Sequence, residues 1–157
     1  MTERKDHSYQ GGFVFEPTPG LYEKIEVFDY RSLYPSIISS HNIDIATYNC
    51  DCCKETAKRV PLDKGEEMWF CTQNKGFIPT IIGEIISRRM RIKEIMKKKD
   101  KPDTLLLARD QALKLLANSF YGYLGFFASR WYSLAAVQSV TALGRHYIKD
   151  VIARSEQ

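Results

Sequence analysis

The feature that most limits how this chain can fold is an apolar repeat. Ile78, Ile81, Ile82, Ile85, Ile86, Met90, Ile92 and Ile95 recur at helical spacing from near Pro79 to about Lys99. A helix of that length carries an apolar stripe that must be buried against a neighbour. A partner follows directly. Beyond the connector Asp100-Lys101-Pro102-Asp103, residues Leu105, Leu106, Ala108, Leu113, Leu116 and Ala117 begin a second helix of similar length, which Gly122 and Gly125 end. Two helices on so short a connector are expected to form an antiparallel hairpin. From Trp131 onward, Leu134, Val137, Val140, Thr141, Leu143, Tyr147, Ile148 and Val151 keep close to a helical period and predict a third long helix.

The part before the hairpin reads differently. Gly11 to Pro19 and Tyr22 to Tyr30 are rich in β-formers bounded by turn residues and predict two strands, with Asp29 at the end of the second. Ser32 to Ser40 predicts a turn that starts a short helix, with Pro35 suited to its first turn. No period is sustained from Ile43 to Lys75, which reads as an irregular insertion. The expected fold class is therefore α+β, in three units: 1–75 with the insertion at 43–75, the helical hairpin 76–122, and a helix in 123–157. Two strands are too few for a self-sufficient sheet, so part of the sheet is expected to lie outside this sequence.

No apolar run approaches the roughly 20 residues that span a bilayer. The charged start, Met1 to Asp6, lacks the apolar stretch of a signal peptide. No membrane contact and a cytoplasmic location are the expectation. Net charge is only +4, but Arg88, Arg89, Arg91, Lys93, Lys97, Lys98, Lys99 and Lys101 face only Glu94 and Asp100 within one segment. Such a run is either a solvated helix face or the neighbour of an anion. Cys50 and Cys53 have metal-knuckle spacing, but Cys52 and Cys71 do not form a second pair in sequence. Zinc is not expected on that count; free thiols, a disulfide to Cys71 and a metal site remain the open alternatives.

Three clusters carry chemistry. Asp29-Tyr30-Arg31-Ser32-Leu33-Tyr34-Pro35-Ser36-Ile37-Ile38 joins a carboxylate to a turn whose N–H groups start a helix, where metal and phosphate could meet. Lys114, Asn118 and Tyr121 fall at i, i+4 and i+7 and share one helix face ahead of Gly122. Arg89 and Lys93 share a face of the preceding helix, and in an antiparallel hairpin both could look across at Lys114. The first cluster resembles the D-x-x-S-L-Y-P-S-I-I motif of family B DNA polymerases, and Lys114 to Gly122 resembles their K-x-x-x-N-S-x-Y-G motif. Tyr9-Gln10-Gly11-Gly12 resembles their Y-x-G-G element. The stretches Ser129 to Tyr132 and Gln138 to Arg145 resemble the palm helix, and Gly76-Phe77-Ile78-Pro79 has an archaeal look.

That resemblance implies a partial palm sheet carrying a fingers hairpin and a palm helix. It implies DNA-directed DNA synthesis from dNTPs with two Mg²⁺ ions. Asp29 and the Tyr30 carbonyl would ligate metal, the Ser32 and Leu33 N–H groups would meet phosphate, and Tyr34 would lie under the sugar and exclude ribonucleotides. Arg89, Lys93 and Lys114 would grip the triphosphate, with Asn118 supporting the pocket. Tyr121 would sense the nascent pair, and Tyr9, Gly11, Gly12 and Gly122 would meet DNA. The Y-G-D-T-D element in which the family carries a second catalytic carboxylate does not occur in this sequence. The expected partners are thus primer–template DNA, dNTP and the remainder of a polymerase, in cis or in trans, the chain being a split-gene product or an excised core. The alternative is a non-catalytic nucleic-acid-binding module, or a split-polymerase subunit inactive alone.

Overall fold

The computed structural model describes residues 9–63, 67–98, 101 and 103–155. The charged start at 1–6, Lys99 of the basic run, and Asp100 and Pro102 of the connector lie outside them. The described chain is helical, with α1 (Leu33–Ser40), α2 (Phe77–Lys97), α3 (Thr104–Gly125) and α4 (Leu134–Ser155). None of these helices is long and apolar enough to cross a membrane.

The expected α+β class, with its partial palm sheet, is therefore corrected: the described residues contain no strand, and their only β-pairing is an isolated antiparallel bridge between Tyr48 and Phe70. Two physical reasons account for this. A strand exists through the ladder it shares with a neighbour, and 11–30 shares no β-ladder with any described residue; Val14, Leu21 and Val27 are 82%, 96% and 87% exposed. The second segment is also broken at Lys24, whose φ of 56° is left-handed and incompatible with extended backbone.

The hairpin forms as a pair of antiparallel helices. Arg89, in the second half of α2, pairs with Asp110, in the first half of α3. At the opposite end Phe77 and Tyr123 both set edge-on against Trp131. Asp103 caps α3 by accepting from the N–H groups of Leu105 and Leu106. The main core gathers Ile37 and Ile38 of α1, Ile78 and Ile82 of α2, Leu124 of α3, and Val137, Val140 and Leu143 of α4. The central part of α4 is enclosed from Ala136 to Arg145; α4 packs against α1 and α3, and α1 and α3 each meet all three other helices.

The start of α2 is fixed by two short polar side chains from the loop after α1. Asn42 Oδ1 accepts from the Gly76 N–H at 2.8 Å. Asp44, 5% exposed, accepts from the Ile78 N–H at 2.8 Å and from the Ala46 N–H at 2.9 Å. A Cβ at position 76 would stand 2.6 Å from Asp44 Cβ, so the close approach itself requires glycine. Asp44→Ala removes a carboxylate from a helix N-terminus and leaves two N–H groups unpaired. It is expected to cost about 2–3 kcal/mol, lowering the thermal midpoint by roughly 5–10 °C in a calorimetric scan. An unchanged midpoint would remove this role.

A second, smaller core lies under the segment 50–71. It consists of Cys53, Ala57, Trp69 and Cys71 with Cys50 against it. The Arg59 guanidinium covers the Trp69 ring at 4.4 Å. Hydrogen bonds from the Thr72 hydroxyl and N–H hold the Cys53 thiol down to about 6.

Candidate functional site

A cleft of about 500 Å³ opens where the first turn of α1 meets α2 and α3. Its lining is Asp29, Tyr30, Arg31, Ser32, Leu33, Tyr34 and Pro35 from the turn into α1, Arg89 and Lys93 from α2, and Lys114 and Asn118 from α3. The helical spacings that put Arg89 with Lys93 and Lys114 with Asn118 each deliver one face to this cleft. The antiparallel pairing sets those faces opposite each other. Among the described residues Lys93 and Lys114 enter no ion pair.

The turn entering α1 is shaped for an anion. Ser32 adopts φ 52°, ψ 53°, a left-handed conformation that costs an L-residue roughly 1–2 kcal/mol. Three contacts stabilise it: the Ser32 carbonyl accepts from the Ser36 N–H at 2.9 Å, Ser36 Oγ donates to the Arg31 carbonyl at 3.1 Å, and Ser32 Oγ accepts from Arg89 Nη1 at 3.0 Å. The Ser32 side chain therefore faces Arg89 and does not cap α1. The first-turn N–H groups keep their partial positive charge beside two lysines.

Arg89 is tied up more than its spacing suggests. Its Nε and Nη2 lie 3.0 and 3.5 Å from the two oxygens of Asp110, with only 11% of the Arg89 side chain and 15% of the Asp110 side chain exposed. Asp110 was missed in the sequence reading, although it stands four residues before Lys114 on the same face of α3 and so marks itself as a neighbour.

Behind the cleft stands an aromatic group. The rings of Tyr34 and Tyr121 are 4.6 Å apart, and the Tyr121 and Tyr9 hydroxyls are hydrogen-bonded at 3.1 Å. Burial first, and the Tyr9 hydroxyl second, push the Tyr121 phenol well above its ordinary value, so it stays protonated. A Cβ on Gly12 would come 2.9 Å from the Tyr34 hydroxyl, and one on Gly144 of α4 would come 3.3 Å from Tyr34 Cε1. Tyr34 is thereby held between α3, α4 and the 9–12 segment, with its exposed edge lining the cleft.

Arg145 fastens that segment. It is 8% exposed and donates through Nη1 to the carbonyls of Gln10 and Gly11 at 3.1 and 2.8 Å, while Thr141 Oγ1 donates to the Gln10 carbonyl at 3.0 Å. This positioning role was also missed. Its signal is a lone arginine within the apolar run of α4, which cannot be buried without acceptors. Gly11 and Gly122 are exposed and line no part of the cleft.

Asp29 is exposed at the cleft's edge, and the ring of Tyr30 beside it is anchored by a hydrogen bond from its hydroxyl to the Tyr147 carbonyl at 3.1 Å. One carboxylate with neighbouring backbone carbonyls is a hard-oxygen donor set. It is too small to cage a cation but fits one that arrives with a polyphosphate and keeps part of its water.

The chain is similar to known proteins over nearly its whole length. DNA polymerase family B matches residues 1–156 of the chain. The DNA polymerase of Thermococcus gorgonarius is 44% identical over 156 residues, covering 98% of this chain and 20% of that protein. DNA polymerase 1 of Pyrococcus abyssi is 45% identical over 153 residues, covering 96% of this chain and 19% of that protein. The solved family B DNA polymerase of the hyperthermophilic archaeon Pyrobaculum calidifontis superposes with a TM-score of 0.71 at 34% identity, over 96% of this chain and 20% of its own. The chain thus spans about a fifth of the length of these relatives. With such identity over nearly its whole length, the chain belongs to DNA polymerase family B.

Proposed function

We propose that this chain is the nucleotide-binding segment of a DNA-directed DNA polymerase, with α2 and α3 as its fingers. The cleft takes the triphosphate of an incoming dNTP. The observation that carries the reading is the meeting of Asp29 with Lys93, Lys114 and the uncapped start of α1 in one cleft. Phosphoryl transfer asks little covalent chemistry of a protein; it needs fixed positive charge around a polyphosphate and a metal at the reacting oxygens.

Lys93 and Lys114 hold the phosphates from opposite walls, and the Ser32 and Leu33 N–H groups meet them at the α1 end. Arg89 acts from the wall, sharing its charge with Asp110 while holding Ser32 in register. Asn118 supports the nucleotide from α3. Tyr34, wedged against Tyr121, lies under the sugar and leaves no room for a 2′-hydroxyl. Tyr9, Gly12 and Tyr121 face the nascent pair and the template, with Gly11 and Gly122 on the same DNA path. Asp29 and the Tyr30 carbonyl would hold Mg²⁺, which supplies charge neutralisation at the transferred phosphate. Primer–template DNA, the second carboxylate and the other parts of the polymerase come from outside this chain, in cis or in trans, and efficient synthesis requires them.

Equilibrium binding of dNTP to the purified chain, with and without Mg²⁺, tests the proposal. Binding is expected to depend on Mg²⁺, and Tyr34→Ala should let the matching ribonucleotide bind as well as the deoxynucleotide. Salt-sensitive DNA binding combined with indifference to dNTP would instead mark a non-catalytic nucleic-acid-binding module.

A further inference from the structure

The four cysteines, scattered in sequence as Cys50, Cys52, Cys53 and Cys71, converge in space: their sulfurs all lie within 4.8 Å of one another. The three separations resolved as contacts are 3.7 Å for Cys52–Cys53, 3.5 Å for Cys52–Cys71 and 3.8 Å for Cys53–Cys71. Four thiolates around one Zn²⁺ at the usual bond length of about 2.3 Å stand about 3.8 Å apart along the edges of a tetrahedron. We propose that Cys50, Cys52, Cys53 and Cys71 form a structural zinc site that clips the 50–71 segment onto the junction between α1 and α2.

The absent second pair was the argument against zinc in the sequence. The fold removes it, because Cys52 faces Cys71 directly and Cys50 completes the set beside Cys53. Each sulfur loses its proton to solvent as its bond to zinc forms, and nothing is oxidised or reduced.

A disulfide accounts for the cluster less well. Cys52 and Cys53 both confront Cys71, so a bond from either would leave the other, and Cys50, packed against it unused. An iron–sulfur cluster would put its own sulfides between the metals and spread the cysteines wider than is seen. The surroundings suit thiolates. The N–H groups of Thr72 and Asn74 donate to the sulfurs of Cys53 and Cys71 at 3.4 and 3.3 Å, as outer hydrogen bonds do around metal-bound sulfur. The small core here is built largely from the cysteines and Trp69, too little apolar surface to order such a segment without a staple.

The position gives the clip a purpose. Cys71 N–H donates to the Thr47 carbonyl at 2.9 Å, and the Cys71 carbonyl accepts from Asn42 Nδ2 at 2.7 Å. The other end of that Asn42 amide holds the Gly76 N–H at the start of α2. A metal on Cys71 therefore steadies the base of the helix that carries Arg89 and Lys93. None of the four cysteines lines the cleft, so the zinc site and the nucleotide reading stand or fall separately.

Metal analysis of the reduced, purified chain decides the matter. About one zinc per chain is expected. Co²⁺ exchange should give intense thiolate-to-metal absorption with the visible bands of a tetrahedral site. Stripping the metal with a chelator should lower the thermal midpoint by on the order of 10 °C. Cys52→Ser, at an exposed position, should keep its helical circular dichroism and lose most of the zinc. A folded, reduced chain with less than about a tenth of an equivalent of zinc and no cobalt bands would overturn the proposal. So would iron in place of zinc.

Discussion

Asp29→Asn, in a polymerase assembled from this chain and the remaining parts, is expected to lower the rate of dNTP incorporation by roughly three orders of magnitude. Asparagine keeps the shape of the side chain and removes the charge that would hold a divalent cation against the transferred phosphate. That stabilisation is worth several kcal/mol at the transition state, and about 4 kcal/mol is three powers of ten. Asp29 is exposed and makes no ion pair among the described residues. The substitution should therefore leave the thermal midpoint unchanged. Single-turnover incorporation measured at saturating dNTP separates chemistry from binding. A rate within tenfold of the parent would end the assignment of Asp29 as the carboxylate of this site.

Lys114→Ala carries the second large effect. The lysine points into the cleft from an exposed position on α3. On the proposed reading, a charge-assisted contact to a phosphate oxygen there would be worth about 2–3 kcal/mol, since the cleft is partly wet. The expected loss is about a hundredfold in kcat/KM for dNTP. Alanine is at least as good a helix former as lysine, so circular dichroism should not change. Arg88→Ala is the control: Arg88 is on the outer face of α2, in an exposed i,i+4 pair with Glu84, and its loss should leave dNTP use intact. Equal losses from both substitutions would mean that general positive charge, and no specific grip, accounts for binding.

The helices were legible because their stripes are long. The isoleucine repeat gives α2, whose ends differ from the expected ones by about two residues, and the pattern from Leu134 gives α4. The gathering of Asp29, Tyr34, Arg89, Lys93, Lys114 and Asn118 around one cleft was also within reach. Spacing fixes which face each side chain is on, and a short connector fixes the antiparallel sense.

What escaped the sequence reading depends on contacts between distant positions. Strand propensity in 11–30 could not reveal that the described chain offers no ladder partner, nor that Lys24 turns left-handed. The Arg89–Asp110 pair, the grip of Arg145 on the Gln10 and Gly11 carbonyls, and the meeting of Cys52 with Cys71 each join separate segments. No local period encodes such meetings.

The two tryptophans of the chain sit at separate places, and this has a practical consequence. Trp69 donates through Nε1 to the Cys50 carbonyl at 3.0 Å and lies under the Arg59 guanidinium, within the cysteine core. Trp131 leans on Phe77 and Tyr123 where α2 begins and α3 ends. Intrinsic fluorescence thus contains two independent optical reporters. With Trp131→Phe the emission follows only the sulfur-rich loop, and with Trp69→Phe only the foot of the helical pair. Loosening of the one can be timed against loosening of the other without attaching a dye.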